Sequence, residues 1–595
     1  MLKSAAGGTG RNGIVTDEER FGRSERLVRP GPLARRLLPS PLDIILIGAF
    51  SLALFPSLTD STTWWRLHSG AWILQHYDVP RATLFTFAAP ETPWLDREWL
   101  AHAVLAWIAV YLGPGMLVFL RSFLVAVAAG LLYAYLRRRG GVVPSFLLSL
   151  GVAAGFLANA QLHPVLFAHV LLTGLVLLLE HPDWRRGRAV VLIPLLFFLW
   201  TNLSPSFLVG LVILLSHTYG ASMDWRRRRD DASWQLRLGC ALLAFLFTFW
   251  NPYYGETYLR SLEDIWQLFA STPIQLQLLP GLQVVVAALL VCAVTLSLVL
   301  AGREIRWRMV YPFVALTPLP FLAPSYVGLW IIWTAVVLME HLQQFAARVR
   351  HERHGFLEDL RVVRSLRRLG DRFAAFSTYD RYIVRGTWMA LFGVLALSYF
   401  SVPPAQERVV GPLRFRGIVY QELAEAAGLP WKAVDALVHV SAPVARVLTL
   451  QEWGGYVGWE GRGILSVFVD SREVAYPLDV LEDYDRFADG RSGWEDVLDR
   501  YGVEAIVWPK EAFQPRALLT AGGWKTLYVD EEAIVIVSPD SFKRDGPSRR
   551  ARPSSPPHPP RKLRALHRRR AGPKEVDSPL HLFRENRGRP GAPQP

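Results

Sequence analysis

The chain has 595 residues, 51% hydrophobic, 12% aromatic and 19% charged, with a formal net charge of +14. Length alone would suit about four soluble domains, which would carry roughly a quarter charged residues; apolar blocks separated by short basic stretches describe a polytopic α-helical membrane protein instead. The excess positive charge lies in loops and tails beside those blocks, where it orients spans, so no nucleic-acid partner is expected.

Residues 1–41 are polar, rich in Gly and Arg, and predict a disordered basic cytoplasmic arm ahead of an uncleaved signal anchor. Residues 42–402 form the transmembrane domain. Candidate spans fall near 42–58, 98–112, 116–136, 142–160, 164–180, 189–202, 204–220, 236–250, 280–301, 309–323, 325–342 and 386–402. Cys240 and Cys292, the only cysteines, both lie inside these spans, which excludes a disulfide framework and a zinc cluster. The basic clusters at 137–139, 185–186, 226–229, 303–308 and 343–385 belong in the cytoplasm by the positive-inside rule. Parity holds if 98–112 and 116–136 make one crossing together, the first as a short helix at the outer face. That gives about eleven crossings, or twelve if both segments cross.

Residues 403–540 change character. Strand-like runs at 444–450, 464–469, 505–507, 526–529 and 533–537 alternate with helical segments near 478–489, 494–501 and 514–521, which predicts a small soluble α/β domain. One span after the basic stretch 343–385 places this domain outside the cytoplasm. Residues 541–595 are rich in Pro and Arg and predict a disordered tail. The expected location is the inner (cytoplasmic) membrane, multi-pass, with the N-terminus cytoplasmic and the lipid bilayer as a partner.

This orientation gathers the polar, aromatic-rich connections on the outer side. The loop 59–97 carries Asp60 just past the first span, then Trp64, Trp65, Arg66 and His68, and ends at Arg97 and Glu98. His163, Asn202, Tyr253 and Tyr254 lie in later outer turns. A carboxylate beside aromatic faces suits carbohydrate chemistry, because a sugar hydroxyl needs a base and sugar rings stack on indoles. Plainer readings stand beside this one. Trp64 and Trp65 suit an interfacial aromatic belt, Asp60 a solvated helix end, and Glu98 a carboxylate stabilising the following helix N-terminus. In the soluble region Asp470 and Arg472 end a strand, where either a salt bridge or a functional group fits.

The order Asp60, Trp64-Trp65, Gly70, Val79-Pro80, Phe85-Thr86-Phe87, Trp94, Glu98-Trp99-Leu100, Trp200-Thr201-Asn202, Asn251-Pro252-Tyr253-Tyr254-Gly255, Trp453-Gly454-Gly455-Tyr456 and Phe468-Val469-Asp470-Ser471-Arg472 resembles bacterial integral membrane proteins of the GT-C glycosyltransferase fold. The resemblance spans residues 42–540 and implies a polyprenyl-phosphate-linked sugar as donor and an extracytoplasmic glycan, lipid or protein as acceptor. It implies Asp60 as the catalytic base, with Glu98 beside it. Trp64, Trp65, Arg66, His68, Arg97, His163, Asn202, Tyr253 and Tyr254 become substrate-binding residues. A lipid phosphate is a good leaving group, so no second carboxylic acid is required, but donors must meet its developing charge.

Related sequences carry a carboxylate where this chain has Thr62, a histidine at Arg66, an acidic residue at Thr83 and His-Gly at Ser204-Pro205. The resemblance admits a divalent metal, yet these residues define no ligand set for one. Two functions stay open: a glycosyltransferase, or a catalytically silent relative serving envelope assembly as scaffold or lipid-binding protein. A transporter or flippase ranks behind both, since the span carboxylates are essentially Glu180 and Glu340, both at span ends.

Overall fold

A computed structural model describes residues 41–53, 61–157, 162–180, 188–228, 233–270, 281–301, 305–322, 326–351, 387–400, 408–410, 413–415, 420–439, 444–461, 463–472 and 475–539. The basic arm, the Pro/Arg tail, Asp60 and most of the stretch 343–385 lie outside the described residues. Two compact units emerge: one of Met1–Thr63, Leu95–His102 and Val118–Leu397, the other of Trp64–Trp94, Ala103–Leu117 and Ser398–Pro595.

Helices in chain order are α1 (Pro41–Leu52), α2 (Thr62–His76), α3 (Trp99–Tyr111), α4 (Gly115–Arg139), α5 (Val142–Leu157), α6 (Val165–Leu179), α7 (Arg188–Leu203), α8 (Phe207–Arg228), α9 (Trp234–Thr248), α10 (Glu256–Ala270), α11 (Gly281–Ala301), α12 (Trp307–Leu316), α13 (Leu319–Leu322), α14 (Val327–His351) and α15 (Thr387–Phe400). Among the described residues, Gly115–Arg139 and Phe207–Arg227 are long and apolar enough to cross a membrane, and shorter apolar helices include Pro41–Leu52, Trp99–Tyr111, Val142–Phe156, Val165–Leu179, Arg188–Leu203 and Trp234–Thr248.

In the first unit α14 packs against α5, α6, α11 and α12. It is apolar around its circumference, with Leu329, Trp330, Ile332, Trp333, Val336 and Val337 all buried, as an interior helix requires. Small residues set the closest approaches. A Cβ on Gly328 would stand 2.2 Å from His169 Nε2, and one on Gly220 would stand 2.4 Å from Arg308 Cα. At that second contact Asp224 of α8 accepts the Trp307 and Arg308 N–H groups (2.8 and 3.2 Å), satisfying donors that a helix start leaves open.

The two span carboxylates build a buried ion network in this unit. Glu180 Oε2 pairs with Arg139 Nη2 at 2.7 Å, and its Oε1 meets His217 Nε2 at 2.9 Å and Arg308 Nε at 3.3 Å. Glu340 takes Arg306 at 2.8 Å and Arg139 at 3.4 Å.

The second unit is α/β, as the sequence implied. A β-hairpin of β1 (Arg408–Val410) and β2 (Leu413–Phe415) precedes α16 (Tyr420–Ala426) and α17 (Trp431–His439). Then follow β3 (Arg446–Thr449), α18 (Gln451–Glu460), β4 (Ser466–Val467), α19 (Leu478–Ala488), α20 (Trp494–Tyr501), β5 (Ala505–Pro509), α21 (Phe513–Ala521), β6 (Lys525–Val529) and β7 (Ala533–Val537). The five-stranded sheet has the order β4-β3-β5-β7-β6, parallel across β4-β3-β5 and antiparallel beyond. Alternation along the strands sends Leu448, Phe468, Ile506, Trp508, Ile534 and Ile536 into one core with Tyr484, Phe487, Trp494 and Val497.

Two of the elements that the sequence did not predict bear on the site. The stretch 62–76, expected within a loop, is helix α2. The segment holding Gly454-Gly455, where no element was predicted, is helix α18, and a Cβ at Gly454 would stand 2.3 Å from the Val469 carbonyl oxygen. Only glycine lets the helix approach so closely. Beyond α2, Thr86 bridges to Val467 in parallel. The Phe85 carbonyl accepts the Val467 N–H (3.0 Å) while Val467 O takes the Phe87 N–H (3.1 Å). Residues 85–87 thus extend the sheet past β4.

Candidate functional site

In the first unit the site grows from the start of α3. Asp96 is buried, its Oδ1 accepts the Glu98 N–H (3.2 Å) and its carbonyl accepts the Trp99 N–H (3.1 Å), so it caps the helix. Its other oxygen, Oδ2, lies 2.8 Å from His102 Nδ1. One helical turn separates Glu98 from His102, and that spacing sets Glu98 Oε2 3.4 Å from Nε2. The result is an imidazole between two carboxylates, with the Glu98 side chain 14% exposed. Asp96 holds Nδ1, and Nε2 faces the Glu98 carboxylate. Such a pair can take up or release a proton at Glu98.

Other quoted motifs reach the same place. Tyr253 is buried, and its hydroxyl accepts the Asp96 N–H at 3.1 Å. Asn202 Oδ1 accepts from Trp99 Nε1 at 2.9 Å, and its Nδ2 donates to the Phe198 and Trp250 carbonyls (2.8 and 3.1 Å). Arg97 Nη1 donates to Ser261 Oγ of α10 at 3.1 Å. Asn251 Oδ1 accepts the Tyr253 N–H (2.9 Å) and the Thr257 hydroxyl (3.0 Å), which ties the turn to α10. Tyr254 is 69% exposed with φ +48°, a backbone region few side chains favour. His163 Nδ1 accepts the Val165 N–H at the start of α6 (3.1 Å), and none of the bonds above joins it to Glu98.

In the second unit Trp64 is 2% exposed and packs on Tyr456 and Tyr420, with ring centroids at 4.8 and 6.2 Å. Trp65 carries the Arg66 guanidinium at 5.2 Å and that of Arg472 at 5.5 Å from its ring centre. Arg66 is buried. His68 stacks on Phe85, and burial, with the Arg472 charge adding to it, pushes its imidazole down to about 3. Arg472 itself is fixed by Asp470, with Nε at 2.9 and 3.0 Å and Nη2 at 2.7 Å, by the Leu84 carbonyl at 2.8 Å and by the Trp94 face at 4.8 Å. The Asp470 charge holds the guanidinium above its usual range.

Among the described residues no group of three or more His, Cys, Asp or Glu side chains is arranged to hold a metal ion. In the Asp96–His102–Glu98 set Asp96 is already engaged by His102 Nδ1 and by the Glu98 N–H. Sequence reasoning passed over Asp96 and His102. Their signal is local: an acid, a second acid two residues on and a histidine four further along, at a helix start.

No family model matches the chain, and no curated protein matches it. Among solved structures it is similar to the Archaeoglobus fulgidus oligosaccharyltransferase in complex with zinc and sulfate (TM-score 0.43, 11% identity, 84% of this chain and 73% of that one). It is also similar to the oligosaccharyltransferase AglB of that organism in complex with an inhibitory peptide and a dolichol-phosphate (0.42, 10%, 78% and 69%). A third likeness is to ArnT from Cupriavidus metallidurans bound to undecaprenyl phosphate (0.41, 13%, 85% and 98%). Similarity at this level is similarity alone, and function has to come from the chain's own residues.

Proposed function

We propose that the protein is a membrane glycosyltransferase that moves a sugar from a polyprenyl-phosphate donor to an extracytoplasmic acceptor. The observation that carries this reading is the convergence at α3. Three motifs far apart in sequence, around Glu98, Asn202 and Tyr253, meet in one cluster where the Glu98 carboxylate stands 3.4 Å from a buried histidine. These are motifs on which the resemblance to GT-C glycosyltransferases rests, and a structural scaffold needs no carboxylate–imidazole pair there.

In this scheme Asp60 accepts the proton of the acceptor hydroxyl as its oxygen attacks the anomeric carbon. The bond from that carbon to the lipid phosphate breaks, the configuration inverts, and the phosphate leaves as an anion. Glu98, held by His102, positions the acceptor and is the alternative base. Arg97, kept in place by Ser261, offers positive charge to the departing phosphate. The donor contacts assigned to Trp64, Trp65, Arg66, His68, His163 and Tyr254 belong to the same proposal. So do the inner-membrane location, the cytoplasmic N-terminus and the extracytoplasmic 403–540 region, which an alkaline-phosphatase fusion near residue 540 tests by being active.

A second reading has its own support. Ser204, at a position where relatives carry histidine, is buried and bonded to Ser206 (2.9 Å), and Arg66 is buried against Trp65. Both are consolidated as packing elements, which suits a silent scaffold or lipid-binding protein. Purified protein incubated with labelled polyprenyl-phosphate hexoses and pentoses separates the two. Release of lipid phosphate, falling about 10²–10⁴-fold in Asp60→Asn, supports the transferase. Folded wild-type protein that releases none supports the silent relative.

A further inference from the structure

Helix α10 divides its circumference three ways between Glu256 and Glu263. Thr257 and Ser261, four apart, are buried and bonded inward: Thr257 donates to Asn251 Oδ1 (3.0 Å) and Ser261 accepts from Arg97 (3.1 Å). Glu256, Arg260 and Glu263 form an exposed charged flank, with Arg260 Nη1 on Glu263 Oε2 at 2.7 Å. Leu259 and Leu262, three apart, make the third flank and are 62% and 60% exposed. A surface helix of a globular protein turns its apolar stripe to the core and its polar residues outward. Here hydroxyls are buried and leucines are exposed, the reverse of that pattern.

The leucines do not stand alone. The Phe245, Phe249 and Tyr258 rings join α10 to the end of α9, with centroids 5.2 Å apart for the two phenylalanines and 5.8 and 5.1 Å from these to Tyr258. Along α9 itself Leu238, Leu242, Phe245 and Leu246 recur at helical spacing, and all are exposed. Trp250 and Tyr254, between the two helices, are exposed as well. Single apolar residues on a surface need no explanation. A stripe that follows most of one helix, passes an exposed indole and phenol and continues onto the next helix outlines a lipid-facing surface with its interfacial aromatics.

We propose that α10 is an interfacial helix of the bilayer. Its Leu259–Leu262 flank lies among acyl chains at the headgroup boundary, its charged flank faces water, and its inner flank holds Arg97 through Ser261. Helices of this kind sink about 5–10 Å into the boundary, which matches two leucines below an exposed ion pair. This placement rests on reading the chain as a membrane protein and requires no turnover.

The test uses the full chain in phosphatidylcholine nanodiscs, with a nitroxide on single cysteines at Leu259, Leu262, Arg260 and Glu263. Cys240 is buried and Cys292 exposed, so Cys292→Ala is the background. Collision rates are read with oxygen, which concentrates in lipid, and with a nickel chelate, which stays in water. Leu242→Cys on α9 is the lipid reference. The oxygen-to-nickel ratio at Leu259→Cys and Leu262→Cys should be several-fold that at Arg260→Cys and Glu263→Cys, and close to that at Leu242→Cys. Equal nickel access at all four α10 positions, with lipid still read at Leu242→Cys, overturns the placement of α10 and leaves the membrane reading standing. Exclusion of both probes at Leu259→Cys and Leu262→Cys means that protein, such as a second copy of this chain, covers the leucines, and overturns it as well. Water at Leu242→Cys removes the membrane reading together with the placement.

Discussion

Glu180 in the first unit and Arg472 in the second are both buried charges, but their neighbours are apportioned differently. Each Glu180 oxygen is claimed: Arg139 takes one, and His217 and Arg308 share the other. Arg472 answers to one carboxylate: Asp470 takes Nε and Nη2, the Leu84 carbonyl also accepts from Nη2, and the Trp65 and Trp94 faces flank the guanidinium. The Glu180 carboxylate therefore ties together helices distant in sequence, whereas Asp470 and Arg472, two residues apart, brace one strand end. Burial alone does not set what a charge does; the elements it joins do.

Removing Glu180 should give the largest effect. Glu180→Ala leaves two guanidiniums and an imidazole facing a gap, and it should cost about 3–5 kcal/mol, measured by denaturant unfolding in detergent. A loss below about 1 kcal/mol would place the network among ordinary surface pairs and break the comparison. Next comes Gly454→Ala, which drives a methyl into the Val469 carbonyl beside Asp470. It should cost about 1–3 kcal/mol. Gly151→Ala in α5, where nothing lies within 4 Å, should be neutral or stabilising by up to about 1 kcal/mol. Equal effects at the two glycines would show that α18 is not wedged on the strand ends.

The smallest effect sharpens the electrostatic side. His68 is neutral in the folded protein down to about 3, while the unfolded chain takes its proton near the usual value of about 6.5. Between those values the unfolded state holds more protons, so stability is full above about 6.5 and declines as pH falls toward about 3. His68→Gln should flatten that decline in pH-dependent unfolding. His68 is half-buried as a residue, which keeps the change modest. An unchanged slope would mean that burial, with the Arg472 charge beside it, does not hold the imidazole neutral.

Particular residues show what could be read early. The β3, β5, β6 and β7 strands and the α19, α20 and α21 helices carry period-2 and period-3.6 patterns in their own residues, and they form within a residue or two of the expected limits. Helix α18 was not among the predicted elements, and only glycine at 454 lets it approach the Val469 carbonyl. Helix α2 was hidden too, because Trp64, Trp65 and His68 read as a polar aromatic loop until Tyr456, Tyr420 and Phe85 are seen to cover them.

For the site, Glu98, Arg97, Asn202 and Tyr253 were legible as types of chemistry, while the contacts joining them were not. Trp99 to Asn202 and Asp96 to Tyr253 are bonds across 103 and 157 residues, and no local pattern encodes a partner at that distance. The sequence by itself determined the apolar helices among the described residues between 41 and 400, the α/β alternation that follows and the candidate carboxylates, because these depend on each residue's own hydrophobicity and on the near-neighbour periodicity of the backbone. Tertiary structure alone decided that Asp96 and His102 stand beside Glu98, that residues 85–87 join the sheet beside β4, and that Arg472 is braced by Asp470 and the Leu84 carbonyl. Hydrogen-bond satisfaction is a property of which groups meet in space, and only the folded chain sets that.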